Sequence, residues 1–245
     1  MYPTSYELKA FYNSNHGRVI RHLLQARVLE VWPDLSDKRV MAYGYATPYL
    51  RPYYEQAESC IALMPNSRGA VPWPPEGDNL VGITSPDELP IESESIDNII
   101  IFHALEYGCL DDASLAEMWR VLKSNGRMIV AVPNRMSAWA RTTWTPFGLG
   151  TPYSLNQLYQ HLEENLFVHE QTVQSLYFPP IKWLWGKKTA DIFEKYGPYI
   201  LPVFGGVNIV EVSKQIYSGV LKNRPESVAN KKRILLPQQA ALGHK

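Results

Sequence analysis

Within Asn98-Ile99-Ile100-Ile101-Phe102-His103 the four residues Ile99–Phe102 are apolar at consecutive positions, with no polar residue interrupting them. A strand that alternates apolar with polar covers one face, whereas an unbroken β-branched run belongs to a strand buried on both faces, the situation of parallel sheets covered by helices. Further β-compatible runs occur at Val40–Tyr43, Cys60–Met64, Leu80–Thr84 and Arg127–Val132, set among segments with helical spacing. This pattern predicts an α/β fold around a mostly parallel sheet. At 245 residues the chain is long enough for one substantial α/β domain.

Taken in order, Tyr6–Asn13 and Gly17–Trp32 read as helices, with Val19, Leu23 and Ala26 repeating at helical spacing and Pro33 preventing continuation. The first strand runs out of Arg39 into a turn with small residues at Gly44 and Ala46. A helix is expected over Tyr49–Ser59, with Pro48 allowed near its first turn. After the second strand, Pro65–Asn79 is a loop, because Pro65, Pro72, Pro74 and Pro75 exclude an ordinary helix. Leu89–Asp97 turns into the isoleucine strand. Asp111 and Asp112 open the helix SLAEMWRVLK, whose end carries Arg120 and Lys123, an order that suits the helix dipole. Pro133-Asn134 stops the fifth strand. A helix over Ser154–Glu164, a sixth strand over Thr172–Phe178 and a last strand over Val207–Tyr217 complete the reading. Between the last two lies Ile181–Gly206, a long aromatic insertion in which Trp183, Trp185, Phe193, Tyr196 and Tyr199 fit an amphipathic helix.

Composition narrows the function classes. Lys plus Arg and Asp plus Glu both number 24, so no global attraction to nucleic acid or membrane is implied. The two cysteines, Cys60 and Cys109, form no metal-ligand cluster and suit a reducing compartment. The first residues lack the apolar core of a signal peptide, and no apolar run approaches the roughly 20 residues of a membrane span. A cytoplasmic protein with no metal is expected. From Lys222 onward, Arg224, Lys231, Lys232 and Arg233 face a single acid, Glu226, which reads as a flexible, solvated tail for which nucleic acid contact is the minor alternative. The expected organisation is one domain over 1–221 (helices in 1–38, a first half in 39–134, a second in 135–221) and a tail over 222–245.

Three stretches together carry a family resemblance: RVMAYGYATPYL (Arg39–Leu50), LPIESESIDNIIIFHALEY (Leu89–Tyr107) and EMWRVLKSNGRMIVAVPN (Glu117–Asn134). They resemble the class I S-adenosylmethionine-dependent methyltransferases, specifically the methyltransferase type 11 group. The resemblance implies a Rossmann-like, mostly parallel seven-stranded sheet with an antiparallel last strand and helices on both faces, and S-adenosylmethionine as cofactor. It places the cofactor beside Tyr43, Gly44, Tyr45, Ala46, Met64, Ser85, Glu88, Leu89 and His103, and the methyl acceptor in Met136–Ser154, with Trp139, Arg141, Trp144, Phe147 and Tyr153 as binding residues. His103 is the candidate catalytic group, as a general base or as a residue that only shapes the pocket.

The first stretch departs from the family. Ala42 stands where an acid is usual, Ala46 and Pro48 replace glycines, and neither Cys60–Asn66 nor Ser85 supplies the acids that often meet the ribose and the adenine. Two readings follow. Either backbone groups and tyrosines hold the cofactor, or a non-catalytic member of the fold acts as a partner-binding or regulatory module, for which the aromatic segments suit a protein interface.

Overall fold

The computed structural model describes residues 2–181 and 187–215. Trp183, Trp185, Tyr217 and the basic tail lie outside them. The chain opens with α1 (Ser5–Asn13) and α2 (Asn15–Val31), each started by a hydroxyl cap: Thr4 with Glu7 forms a capping box, and Ser14 accepts from the Gly17 N–H. The strands are β1 (Arg39–Gly44), β2 (Ser59–Pro65), β3 (Val81–Thr84), β4 (Ile96–Phe102), β5 (Leu122–Pro133), β6 (Phe167–Ser175) and β7 (Val207–Lys214). They form one sheet in the order β3-β2-β1-β4-β5-β7-β6. Pairing is parallel from β3 to β5 and antiparallel at β7 and β6.

Side-chain alternation sorts the two faces. Val40, Ala42, Ile100, Phe102, Ile129 and Ala131 pack under α1 and α2. Met41, Tyr43, Ile99, Ile101, Met128 and Val130 pack with α4 (Asp112–Val121) and α5 (Leu155–Glu164) on the other side. The isoleucine run is fully buried, as a strand covered on both faces requires.

Two expectations need correction, and the loop expected over Pro65–Asn79 is present. The helix expected over Tyr49–Ser59 is only α3 (Thr47–Leu50) and a 3-10 turn over Arg51–Tyr53. Pro52 has no N–H to continue the helical ladder, although Arg51 before it keeps helical backbone, and the following turn has no apolar stripe to hold it. The sixth strand starts at Phe167 rather than Thr172, because its outer face is polar at an edge and carries no apolar signal. The 3-10 turn at Asn66–Arg68 and an extended path stand where a crossover helix is usual, as the prolines require.

The insertion contains α6 (Lys187–Ile200). Phe193, Tyr196 and Tyr199 lie on it, but they are exposed rather than packed.

Candidate functional site

At the carboxyl ends of β1 and β4 two residues adopt left-handed backbone: Gly44 with φ +76° and His103 with φ +56°. Gly44 is required there for packing, since a Cβ would collide with the Phe102 carbonyl oxygen and lie 3.0 Å from the Ala104 Cβ. His103 is uncommon in that region for a side-chain-bearing residue and marks a place worth functional scrutiny. Its ring is held between two elements. Tyr12 of α1 places its hydroxyl 2.7 Å from Nε2, and Glu106 places Oε1 3.0 Å from Nδ1.

Tyr49 extends the chain by donating to the Tyr12 hydroxyl at 3.0 Å. Burial raises the phenols of Tyr12, Tyr49 and Tyr107 far above the ordinary tyrosine range, so all three keep their protons at neutral pH. The Tyr12 hydroxyl can thus donate to Nε2 of His103, the tautomer in which Nδ1–H donates to Glu106. The second oxygen of Glu106, Oε2, is buried with no partner among the described residues.

Around this line the space over Gly44 and Met64 is filled by the chain itself. Tyr12 stacks on Tyr45 with centroids 5.8 Å apart, and Tyr49 stacks on Phe102 at 3.8 Å. Arg68 lies 4.5 Å from the Tyr107 ring centre and 5.1 Å from that of Tyr2, and it donates to the Pro3 and Tyr107 carbonyls. Tyr43 faces the opposite side of the sheet, where its buried hydroxyl has no partner among the described residues. Ala46 and Met64 are fully buried. Ser85 donates to the Asp87 carboxylate, Glu88 is exposed, and Leu89 is buried against the α4 side.

The open space lies beyond Tyr45. A cavity of about 470 Å³ is lined by Lys9 and Asn13 of α1, Arg21 and Gln25 of α2, the first turn at Tyr45, Thr47 and Pro48, and Val71–Trp73 with Glu76. Of the nine cofactor positions expected from sequence, Tyr45 alone lines it. Sequence reasoning missed Arg21, Gln25 and Glu76, which no local motif marks. On the other side of α1 a cavity of about 340 Å³ is lined by Tyr2, Glu7, Leu8, Phe11, Thr143, Trp144 and Leu149.

Of the five expected acceptor residues, only Trp144 lines this second cavity, with its ring 5.9 Å from that of His16. Trp139 and Phe147 are core residues, Trp139 donating from Nε1 to the Phe178 carbonyl. Arg141 is exposed, and Tyr153 is half-buried with its main chain paired to Pro133 and Arg135. Phe147 nevertheless reaches the site from behind, 5.4 Å from the His103 ring.

S-adenosylmethionine carries a carboxylate, an ammonium, a ribose diol and a flat purine. The cavity beyond Tyr45 offers a partner to each: Lys9 and Arg21 for the carboxylate, Glu76, itself 3.6 Å from Arg51, for the ammonium or diol, and Trp73 and Val71 for the purine. By this chemistry the residues fit the group, although not in the space over Gly44 and Met64.

Residues 66–130 match the family model described as a methyltransferase domain. The matched segment begins after the divergent first turn. No curated protein matches the sequence. Among solved structures, the complex of the Haloferax volcanii Trm112 methyltransferase activator with a presumed methyltransferase contains a chain 14% identical, covering 86% of this chain and 94% of that one with a TM-score of 0.60. A SAM-dependent methyltransferase from Archaeoglobus fulgidus is 16% identical over 84% of this chain and 97% of its own, with a TM-score of 0.55. Another from Thermotoga maritima is 16% identical over 86% and 96%, with a TM-score of 0.54. The seven-stranded mixed sheet and these neighbours show the Rossmann-like fold of the class I S-adenosylmethionine-dependent methyltransferases, and within it residues 66–130 match the methyltransferase domain model.

Proposed function

We propose that the protein transfers a methyl group from S-adenosylmethionine to an acceptor admitted between α1 and the Thr143–Leu149 segment. The observation that carries this reading is the pairing of two cavities across α1, one with donors and acceptors suited to the cofactor and one with an apolar, aromatic wall. When bound, S-adenosylmethionine supplies a methyl group already made electrophilic by its sulfonium. The protein's part is alignment and exclusion of water. Lys9 and Arg21 bind and orient one end of the ligand, Trp73 and Val71 hold the flat end, and Trp144 and Phe11 wall the acceptor. His103 holds a proton at Nδ1 and presents Nε2 to Tyr12. If Tyr12 withdraws, Nε2 becomes a free acceptor for an acceptor proton.

Because α1 separates the cavities, donor and acceptor meet only when Tyr12 leaves His103. This makes α1 a gate and the Tyr12–His103 bond its latch. A second reading, a non-catalytic partner-binding module, is favoured by the side chains packed over Gly44 and by Arg68 seated between Tyr2 and Tyr107.

Calorimetric titration with S-adenosylmethionine and S-adenosylhomocysteine separates the two. The first reading expects micromolar binding that weakens by about tenfold in Arg21→Ala, the loss of one charge-assisted contact. Absence of heat and of any thermal shift at millimolar ligand sinks it and leaves the second, since a ligand far above its dissociation constant raises stability by mass action.

A further inference from the structure

α1 sorts charge between the two cavities it separates. Toward Tyr45 it presents Lys9 to a wall that also holds Arg21 and Arg51, against the single acid Glu76. Toward Thr143–Leu149 it presents Glu7, Leu8 and Phe11, with its cap Thr4, and of the residues lining that second cavity Glu7 alone is charged. Glu7 and Phe11 lie about one helical turn apart, the spacing that sets a carboxylate and a ring side by side on one face. Tyr2 and Trp144 add two more rings to the same cavity. The carboxylate is held in place: Oε2 of Glu7 accepts from the Thr4 N–H at 2.7 Å and from the Thr4 hydroxyl at 2.9 Å. These bonds hold the Glu7 carboxyl below its ordinary value, so it is charged at neutral pH. Arg68 reaches the Tyr2 ring but does not line the cavity, and it donates to the Pro3 and Tyr107 carbonyls.

Aromatic rings beside one carboxylate favour a ligand of one charge. The ring faces attract a cation, as in the sites that take choline-like groups, and the carboxylate adds a charge-assisted contact. A carboxylate- or phosphate-bearing acceptor is repelled by Glu7, and a neutral apolar one offers it no partner. We infer that the methyl acceptor is a small aliphatic amine, bound as its ammonium beside Glu7 among Tyr2, Phe11 and Trp144. This names the substrate class for the methyl transfer proposed above and rests on that reading. The volume, about 340 Å³, is that of a small-molecule site. Lys9, Arg21 and Arg51 turn the same cation away from the cofactor cavity. For transfer, the ammonium gives its proton to Nε2 of His103 once Tyr12 has withdrawn. The freed lone pair then bonds the methyl carbon, and the electrons of the broken carbon–sulfur bond stay on sulfur.

Choline, a permanent cation, and neohexyl alcohol, its neutral carbon analogue, test this by NMR titration of the full chain with no methyl donor present. Choline is expected to shift the Trp144 indole signal, assigned by its loss in Trp144→Phe, at millimolar concentration or below. Neohexyl alcohol should bind at least about tenfold more weakly. Glu7→Gln keeps an acceptor for the Thr4 N–H, so its melting temperature should stay at the parent's. Its affinity for choline should fall by about tenfold while that for neohexyl alcohol does not change. Neohexyl alcohol that binds as tightly as choline overturns the inference in favour of a neutral acceptor. A Glu7→Gln chain that binds choline like the parent overturns it as well, and so does a parent that responds to neither probe. The cofactor titration separates this failure from that of the broader reading. S-adenosylmethionine binding without choline binding sinks the amine alone, whereas absence of S-adenosylmethionine binding sinks methyl transfer and the acceptor with it.

Discussion

α1 and α6 both attach to the sheet through a polar group buried against a neighbouring element, yet they use opposite faces of themselves. α1 buries Leu8 and Tyr12 and shows Lys9 and Asn13 to solvent and cavity. α6 buries a carboxylate between two small residues and shows its aromatics. The first arrangement is that of a helix that belongs to the core and acts on what lies beneath it. The second is held in place by hydrogen bonds and leaves its large side chains outside. A buried polar anchor alone therefore does not reveal a helix's role, whereas the side carrying the large apolar residues does.

The largest effect expected from breaking this contrast is at Glu194. Glu194→Ala leaves the Tyr177 N–H and Ser175 hydroxyl unpaired in a buried place, and should destabilise the protein by about 3 kcal/mol. Denaturant unfolding measures it, and a loss below about 1 kcal/mol would mean that α6 is not held by this anchor. Gly197→Ala comes next, at about 2 kcal/mol, because the added methyl group must push the helix off Tyr177. At the other helix, Tyr12→Phe removes the bond to His103 and the acceptor for Tyr49 but keeps the packing, and should cost about 1 kcal/mol. If α1 is a gate, the same variant binds S-adenosylmethionine no more weakly than the parent. Weaker binding would make Tyr12 part of the cofactor site.

The smallest effect is one of pH. Burial raises the Glu194 carboxyl above its ordinary value. A carboxyl whose folded pKa is raised binds more protons folded than unfolded in the window between the two values, so stability falls as pH rises through it. The melting temperature of the parent relative to Glu194→Gln should therefore increase as pH is lowered from 7 toward 5, by a few degrees at most. A relative decrease would show that the hydrogen bonds to the carboxylate outweigh its desolvation.

Much of the sheet was legible because its signals are local. The isoleucines of β4, the Pro133 stop and the caps at Asp111 and Ser154 each act within a few residues. The false helix over Tyr49–Ser59 had its correction in view at Pro52. The site was less legible, since Tyr12 and His103 are 91 positions apart and neither lies in a motif that names the other. Gly44 was read from its place in a ligand-facing turn, and the structure adds a packing reason, the carbonyl of Phe102. For α6 the composition announces a helix with two faces, but the choice between them depends on Ser175, Tyr177 and Arg27, three residues on other elements. No periodicity contains that information.

The far end of the sheet has its own knot. Glu211 of β7, fully buried, accepts from Trp32 Nε1 at 2.7 Å, Arg127 at 2.9 Å and Gln171 at 2.7 Å, while the Tyr53 hydroxyl holds the Trp32 carbonyl. α2 is thus riveted at its carboxyl end, and its amino end carries α1 across the single joint at Ser14. Further along, Gln25 and Arg27 pin α2 to the Pro48 and Glu194 carbonyls. On the proposed gating, with α2 pinned in this way, a swing of α1 would be taken up at the Ser14 joint, as an arc at Tyr12 rather than a translation along the sheet.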